Sequence, residues 1–193
     1  MRKIYAFDFD GTITSQDTMF LFLRELSGMH KVIYALVMTA PFILMMKLGI
    51  YSRHKAKQRL LCRFIAGRDI RDIDMFCSRL AGKHKDIIRM KAAETMKRAR
   101  AEGAEVIVIT ASIENWVRPF VPDAKVIGTR LETDSNGMIT GRLSTKNCYG
   151  KEKVDRLLEL YPDRDSYYLV AYGDSRGDME LMRFADESHY KAF

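Results

Sequence analysis

The sequence predicts an α/β protein: a doubly wound, Rossmann-like parallel sheet with an inserted all-helical cap domain and a small β-hairpin. Two observations support this class. Apolar runs of strand length alternate with segments of helical periodicity, which is typical of a parallel sheet covered by helices. A long block with only helical periodicity follows the first strand, so one folding unit is expected to be inserted into another.

Four short apolar runs indicate buried strands of this sheet. Strands covered on both faces are rich in aliphatic and aromatic residues, and such runs lie at residues 4–7, 106–109, 125–128 and 167–172. Residues 131–143 contain the turn-forming stretch Asp134-Ser135-Asn136-Gly137, which predicts the β-hairpin.

Helical periodicity covers most of the chain between the first two strands. Apolar residues recur at helical spacing at residues 17–26, 52–65, 69–80 and 86–102, and later at residues 113–121 and 150–160. We expect a catalytic core at residues 1–14 and 100–193 and a helical cap at residues 15–99. A cap beside the end of the first strand is a natural lid.

The most apolar stretch is residues 32–50. Its uncharged run, residues 32–46, has 15 residues, fewer than the roughly 18 expected of a membrane span. Pro41 is expected to kink or split it. Two interpretations stay open: a buried helical hairpin within the cap, or a segment lying at a membrane face. A single crossing is excluded if Asp8 shares a site with residues beyond this stretch.

Composition and charge narrow the class of protein. The 193 residues are 47% hydrophobic and 30% charged, which is ordinary for a soluble globular chain. The chain enters a strand directly after Met1, so we expect no signal peptide. The three cysteines lack metal-ligand spacing, which favours reduced thiols and a cytoplasmic location. The sequence predicts neither the number of subunits nor a role for Cys148.

The net charge of +7 is concentrated in the cap. Residues 47–100 hold 16 Lys and Arg against 5 Asp and Glu. Such an excess can favour nucleic acid, an anionic membrane face or phosphorylated substrates. We expect solvated helix faces and no nucleic-acid partner. Contact with the inner face of a membrane stays an alternative, because the apolar stretch is flanked by Lys31, Lys47, Arg53, Lys55 and Lys57.

The first predicted strand leads into two acidic residues and a glycine. Side chains alternate along a strand, so Asp8 and Asp10 point the same way if the strand geometry persists. Gly11 ends the strand and leaves backbone N–H groups free to meet a ligand. Two carboxylates this close are costly unless they bind a cation such as Mg²⁺ or divide the roles of nucleophile and general acid.

Polar residues also end the later strands. Thr110 follows the second core strand, and Asp174 and Asp178 follow the last one. The carboxyl ends of parallel strands share one edge, so these side chains should converge with the first acidic pair. Phosphoryl transfer needs such a set together with a lysine. Lys153, with Lys151 as a lesser candidate, begins the preceding helix.

In these motifs the chain resembles the haloacid dehalogenase-like hydrolase superfamily, in its phosphoserine-phosphatase-like branch with a helical cap. The resemblance rests on DFDGT, VIVIT, Lys153 and YGDSRGD. Four further stretches, TASIENWVRPF, VIGTRLE, ITGR and NCYGKEKV, are most similar to the phosphatidylglycerophosphatase-C-like group. Residues 110–112 are Thr-Ala-Ser where phosphoserine phosphatases typically have Ser-Gly-Gly, and GDSRGD replaces their usual GDGxND.

The resemblance implies a catalytic role for both acids of the first motif. Asp8 is expected to be the nucleophile that becomes an aspartyl phosphate. Asp10 is expected to protonate the leaving alcohol and then to activate water.

The resemblance also implies the ligands of Mg²⁺ and of the phosphoryl group. Mg²⁺ is expected on the carboxylates of Asp8 and Asp174 and the backbone carbonyl of Asp10, with Asp178 supporting the metal from nearby. The expected phosphate-binding residues are Gly11, Thr110, Ala111 and Lys153.

The expected activity is therefore an Mg²⁺-dependent phosphomonoesterase. Two substrate classes stay open: a lipid phosphate such as phosphatidylglycerophosphate, and a soluble metabolite that is phosphoserine-like or another small phosphomonoester. A phospho-accepting signalling domain is the rival from another class. Receivers, however, carry a carboxylate pair after their first strand and the phospho-acceptor after a later one, and they lack a long helical block.

Overall fold

The fold is described from a computed structural model that covers residues 2–193. Five strands form a parallel sheet, and two others form a separate antiparallel hairpin. The sheet strands are β1 (Arg2–Phe7), β2 (Glu105–Ile113), β3 (Lys125–Thr129), β6 (Tyr167–Gly173) and β7 (Glu187–Tyr190), and the hairpin strands are β4 (Leu131–Thr133) and β5 (Ile139–Leu143). The strand order is β3-β2-β1-β6-β7.

The sheet has an apolar core on each face, as the sequence predicts. Along β1, Ile4 and Ala6 contribute to one buried cluster, whereas Phe7 contributes to the other. This alternation arises because successive side chains of a strand point to opposite faces. The predictions of a doubly wound parallel sheet and of a small hairpin are confirmed.

Strand β1 lies between β2 and β6, so the chain runs outward from it in both directions. Ligands of open α/β sheets bind at such a reversal, beyond the carboxyl ends of the strands. The backbone N–H of Asp8 donates to the carbonyl of Tyr172 at 2.9 Å, which continues the β1–β6 pairing up to the first acidic residue. The two acidic motifs are thereby held side by side.

Two elements near the chain end lie outside the sequence prediction. Helix α8 (Met179–Phe184) follows the last acidic motif, and β7 pairs with β6 at the sheet edge. Strand β7 has the sequence Glu-Ser-His-Tyr and is largely exposed. An edge strand with this composition lacks the apolar run by which buried strands are recognised.

The cap is all-helical, as predicted. Its four helices are α1 (Thr18–Ser27), α2 (Met29–Lys47), α3 (Arg53–Ile65) and α4 (Ile70–Lys83). Three of the four start on a side-chain cap: the carboxylates of Asp17 and Asp69 and the hydroxyl of Ser52 accept from backbone N–H groups of the first turn. Such caps satisfy donors that otherwise lack a partner.

The chain returns to the core earlier than expected. Thr14 pairs with Ile88, and the N–H of Arg89 donates to the carbonyl of Ile13 at 2.8 Å. A 3₁₀ turn at Lys85–Ile87 precedes this pairing, so helix α5 (Met90–Ala101) starts later than the predicted residue 86. Because α5 packs on β2, we infer that the inserted cap ends near Ile88 rather than at residue 99.

Helix α2 differs from the expected buried hairpin. It is one helix that continues through Pro41, so Pro41 does not split it. The alternative expectation, a kink at Pro41, stays a prediction. A proline removes one helical hydrogen bond, which α2 tolerates while packing against α1 and α3. Buried residues of α2 are few, whereas Val37 is 65% exposed and Leu44 is 60% exposed. The buried interpretation is therefore wrong.

By length and composition alone, α2 could cross a membrane. Its mean hydropathy is 1.6, and 17% of the 18-residue window is buried. One such helix is weak evidence for a span. A single crossing would separate Asp8 from Lys153, and the structure brings these two residues into contact.

Two helices and two 3₁₀ turns connect the remaining strands of the core. Helix α6 (Glu114–Val117) leads into a 3₁₀ turn at Arg118–Phe120 after β2, and helix α7 (Lys151–Leu160) precedes β6. A further 3₁₀ turn lies at Arg164–Ser166. Helix α7 lies against the sheet with Lys153, Arg156 and Leu157 buried, and Lys153 is only 1% exposed.

Candidate active site

Three carboxylates meet at the carboxyl ends of β1 and β6. One oxygen from each of Asp8, Asp174 and Asp178 lies within 4.8 Å of the other two. Asp8 and Asp178 are buried, and Asp174 is half-buried. The structure thus brings Asp8 together with two acidic residues that follow it by 166 and 170 positions in the sequence.

Lys153 neutralises part of this negative charge. Its Nζ donates to Asp8 Oδ1 at 2.6 Å, to Asp178 Oδ1 at 2.5 Å and to the carbonyl of Ile109 at 2.8 Å. An ammonium has three donors, so all are used. Lys151, the lesser candidate, is exposed and pairs with Asp155 on its own helix. The structure therefore places Lys153, and not Lys151, beside the acidic cluster.

Burial sets the acidities of these groups. It raises the pKa of Asp8 to about 7, although Lys153 opposes the rise. It also raises the pKa of Asp174. For Asp178 burial again favours the neutral form, but the charge and hydrogen bond of Lys153 outweigh it and hold the pKa below the usual value. Lys153 keeps its charge, because the two carboxylates outweigh its burial and raise its pKa.

Asp178 also shapes the turn that carries Asp174. Its Oδ2 accepts from the N–H of Ser175 at 2.9 Å and from the hydroxyl of Ser175 at 2.7 Å. The N–H of Asp174 donates to the same oxygen at 3.2 Å. Asp178 therefore joins Lys153 to the loop bearing Asp174.

Gly11 allows Asp174 to approach the first motif. Its φ of +83° lies in the region that favours glycine, and a Cβ there would overlap the Asp174 carboxylate. The hydroxyl of Thr12 donates to Asp174 Oδ1 at 3.3 Å. Gly11 is therefore needed on steric grounds, because a side chain there would displace Asp174. This requirement is separate from the phosphate contact that the resemblance implies.

The Asp10 carboxylate lies outside the three-carboxylate cluster. Its Oδ1 accepts from the N–H and the hydroxyl of Thr18, at 2.7 and 2.6 Å, and its Oδ2 accepts from the hydroxyl of Ser112. Burial raises the pKa of Asp10, and these hydrogen bonds limit the rise. We expect Asp10 to contact the metal through its backbone carbonyl and not through its carboxylate. The hydrogen bonds of the carboxylate do not test that contact, which stays a prediction.

Thr110 and Ala111 reach the same region from within β2, which continues to Ile113 instead of ending before Thr110 as the sequence predicts. The pairing with β3 is irregular between Ile109 and Ile113. Thr110 is buried, and its hydroxyl accepts from the N–H of Ser112 at 3.0 Å. The carbonyl of Ala111 accepts from the hydroxyl of Thr129 at 2.7 Å and also from Lys57. Both residues line the cavity above the acidic cluster.

This cavity has a volume of about 320 Å³ and lies between core and cap. The core contributes the predicted catalytic residues, and helix α3 contributes Arg53 and Lys57. Lys57 also donates to Asn147 Oδ1 at 3.3 Å, and burial lowers its pKa to about 8. Arg53 and Lys57 thus line the cavity wall, and contact of this flank of α2 with a membrane stays a prediction.

Lys57, Ser112 and Thr18 were missed by the sequence analysis. Lys57 and Arg53 lie four residues apart and so share a helix face, but the same spacing is common on solvated faces. Ser112 and Thr18 contact Asp10 across 102 and 8 positions. Local sequence carries no signal for the first contact.

The carboxylates fit a divalent cation. Mg²⁺ takes carboxylate oxygens together with carbonyl oxygens and water, and a cation would favour the charged forms that burial disfavours. Asp8 and Asp174 would hold it, with Asp178 close by.

We expect Mg²⁺ to stabilise the protein more at pH 8 than at pH 6. The pKa of Asp8 is raised to about 7 in the metal-free fold, so its contribution to stability is lost as the pH rises through that value. Above that pKa, Asp8 is ionised and can bind Mg²⁺ without first losing a proton. At a free Mg²⁺ concentration of 100 times Kd, binding raises the free energy of unfolding by about 2.7 kcal/mol. Each kcal/mol raises Tm by roughly 2–4 °C in a chain of this size.

Differential scanning fluorimetry at both pH values measures this shift, and Asp174→Ala should reduce it. Asp134→Ala, in the exposed hairpin turn, is the matched control. An equal Tm with and without millimolar Mg²⁺ at pH 8 would contradict a metal site here.

Comparisons with known proteins agree with this architecture. The family model for haloacid dehalogenase-like hydrolases matches residues 5–183. Protein CicA of Caulobacter vibrioides is 33% identical over 196 residues, covering 98% of this chain and 86% of CicA.

Solved structures share the fold. A protein with unknown function from Bordetella pertussis Tohama I has a TM-score of 0.84 at 17% identity, covering 97% of this chain and 89% of that one. A phospho-aspartyl intermediate analogue of phosphoserine phosphatase has a TM-score of 0.65 at 18% identity, covering 97% and 85%.

Proposed function

The chain belongs to the haloacid dehalogenase-like hydrolase family, and on that basis we propose that it is an Mg²⁺-dependent phosphomonoester phosphatase acting through an aspartyl phosphate. The observation that carries the proposal is the position of Asp8. Asp8 lines the cavity, accepts a hydrogen bond from the ammonium of Lys153 and has an oxygen within 4.8 Å of oxygens of Asp174 and Asp178. A buried carboxylate with this support is suited to attack an electrophilic phosphorus.

In the first step, an Asp8 oxygen attacks the phosphorus and the bond from phosphorus to the substrate oxygen breaks. Asp10 gives its proton to that oxygen, and an alcohol leaves. Lys153 lies within reach of the transferring group and offsets its charge, as electrostatic stabilisation of phosphoryl transfer requires. When bound, Mg²⁺ would supply further positive charge beside the phosphoryl oxygens.

In the second step, water attacks the phosphorus of the aspartyl phosphate and gives a proton to the Asp10 carboxylate. Phosphate leaves and Asp8 is regenerated. Burial raises the pKa of Asp10, which suits a residue that must alternate between acid and base near neutral pH. Its hydrogen bonds to Thr18 and Ser112 fix the carboxylate at the junction of cap and core.

Asp10→Asn is expected to slow both the formation and the breakdown of the phosphoenzyme, because one carboxyl serves both steps. With para-nitrophenyl phosphate, whose leaving group hardly needs a proton, breakdown should suffer more. Rapid-quench kinetics with a good and a poor leaving group measure the two steps. An equal loss with both leaving groups would argue against the acid role.

For the substrate, the family supports a phosphorylated small molecule. We propose more specifically that the substrate is a lipid phosphate, as the likeness to the phosphatidylglycerophosphatase-C-like group implies. Two observations support this. Helix α2 exposes apolar side chains, including Ile33, Val37 and Leu44. It packs against α3, which supplies two cations to the cavity wall.

Helix α2 would then rest on the membrane surface. Amphipathic and apolar helices of this kind bind by burying apolar side chains at the boundary of the headgroups, aided by cations on their flanks. Lys31, Lys47 and Lys55 are exposed and remain available for anionic lipid, at about 1 kcal/mol each.

We expect the protein to float with anionic liposomes, and to do so less at high salt. Val37→Gln with Leu44→Gln should weaken flotation, as should Lys47→Glu with Lys55→Glu. Lys91→Glu with Lys97→Glu, on the exposed face of α5, is the charge-matched control and should float like wild type. Protein that stays at the bottom of the gradient and hydrolyses soluble and lipid phosphates equally would leave a metabolite phosphatase.

A further inference from the structure

A second cavity lies on the β3 side of the core. Its volume is about 620 Å³, and it shares no lining residue with the cavity above Asp8. Strand β3, the turn after α6 and helix α7 enclose it. A smaller cavity of about 340 Å³ adjoins it, with Arg130, Arg156 and Glu159 in both walls. The volume falls in the range of sites that hold small ligands.

The wall of this second cavity is strongly basic. Its charged residues are Arg118, Lys125, Arg130, Arg156 and Glu159. Behind them lies Glu114, which is 3% exposed. Four cations therefore face two carboxylates, and positive charge is left over for an anion.

Three guanidinium groups share the single carboxylate of Glu114. Arg130 Nε lies 3.0 Å from Glu114 Oε1, Arg156 Nη2 lies 3.8 Å from the same oxygen, and Arg118 pairs with Oε2. The N–H of Gly128 also donates to Oε1, at 3.0 Å. One carboxylate cannot satisfy the donors of three guanidinium groups, each of which has five.

Arg156 shows this shortage directly. It is 6% exposed, and its Nη1 is buried without a hydrogen-bond partner among the described residues. A buried donor without a partner costs on the order of 1–3 kcal/mol, and more when it is charged. Its Nε meets Glu159 at 3.2 Å, but the side chain of Glu159 is 66% exposed and can turn away into solvent.

We propose that this cavity is a second ligand site, which binds a small organic phosphate distinct from the substrate. Arg130 and Arg156 would take the phosphate oxygens, since guanidinium groups match such oxyanions in pairs of hydrogen bonds. Val121, Pro122 and Leu160 also line the cavity and offer an apolar surface to the rest of the ligand.

The site is separate from the chemistry but connected to it by helix α7. Lys153 and Arg156 lie three residues apart on α7, with Lys153 on Asp8 and Arg156 on the second cavity. The ligand class follows from the wall chemistry alone and does not depend on the proposed phosphatase activity.

Isothermal titration calorimetry with methylenediphosphonate tests the proposal. The titration is run in EDTA, because without metal the carboxylates of Asp8, Asp174 and Asp178 disfavour a polyanion in the catalytic cavity. Wild type should bind about one equivalent, more weakly as salt rises. Arg130→Gln should weaken binding at least tenfold. Lys57→Gln, which removes a cation of the other cavity, should leave it unchanged.

Lys125→Gln is a second variant, which tests the site even if Arg130→Gln disturbs the fold. Lys125 lines the cavity and is exposed, its ammonium lies 5.1 Å from the centroid of the Tyr161 ring, and no salt bridge joins it to Glu114. Its loss should weaken binding several-fold without changing Tm. Absence of binding by wild type at millimolar probe would overturn the proposal. So would binding that is lost in Lys57→Gln and kept in both Arg130→Gln and Lys125→Gln.

Discussion

Asp8→Asn is expected to abolish phosphomonoester turnover while leaving the fold intact. An amide is nearly isosteric with a carboxylate, but it is a poor nucleophile and a poor metal ligand. The contact with Lys153 can persist through the amide oxygen, and Asp178 still pairs with Lys153 at 2.5 Å. We expect a fall in kcat of at least about a thousandfold, roughly 4 kcal/mol in barrier height.

The measurement is steady-state hydrolysis of para-nitrophenyl phosphate, with circular dichroism to show that the fold is kept. Asp155→Asn is the matched control, because Asp155 is an acid on α7 that pairs with Lys151 outside the site. Activity of Asp8→Asn within about tenfold of wild type, a change of roughly 1.4 kcal/mol in barrier height, would contradict Asp8 as the nucleophile.

Lys153→Met is expected to remove activity and also to destabilise the fold. The variant leaves Asp8 and Asp178 buried beside each other without their cation. Breaking a buried ion pair by removing one partner typically costs about 3–5 kcal/mol. In the proposed mechanism the transferring phosphoryl group would also lose the ammonium that offsets its charge. Both effects make this one of the most damaging single changes in the chain.

The loss of stability should depend on pH in a defined direction. Without Lys153, the pKa of Asp8 rises above its wild-type value of about 7, since Lys153 is what lowers it. The variant can protonate the buried carboxyls at low pH, so its deficit should shrink towards pH 5 and grow towards pH 8. Urea unfolding at both pH values measures this. Lys151→Met is the control, and a deficit equal at both pH values would contradict the buried pair.

The parallel sheet could be predicted because its strands have strong local signals. Residues 106–109 are Val-Ile-Val-Ile, and all four are buried in β2. Strand β7 has no such signal, since it is polar and its place is set by pairing with β6. Helix α2 has an apolar composition that is typical of a buried element, yet most of it is exposed. The composition of α2 shows that exposing its side chains to water is unfavourable. It does not show where the neighbouring helices lie, and their positions decide which side chains are buried.

The polar residues near the strand ends could be predicted because a parallel sheet brings its carboxyl ends to one edge. That rule places Asp8, Thr110 and Asp174 together without any knowledge of packing. The position of Lys57 follows from how α3 docks on the core, which its sequence does not specify. The hydrogen bond between Ser112 and Asp10 likewise depends on the pairing of β1 with β2.

Hydrolysis of para-nitrophenyl phosphate with millimolar Mg²⁺ tests the central proposal most directly. We expect continuous release of nitrophenol over many equivalents per protein chain, dependent on Mg²⁺ and absent in Asp8→Asn. Release that stops at one equivalent, with phosphate retained on the protein, would indicate a phospho-accepting signalling domain. No release at all would contradict the assignment of Asp8, Asp10 and Lys153 to phosphoryl transfer.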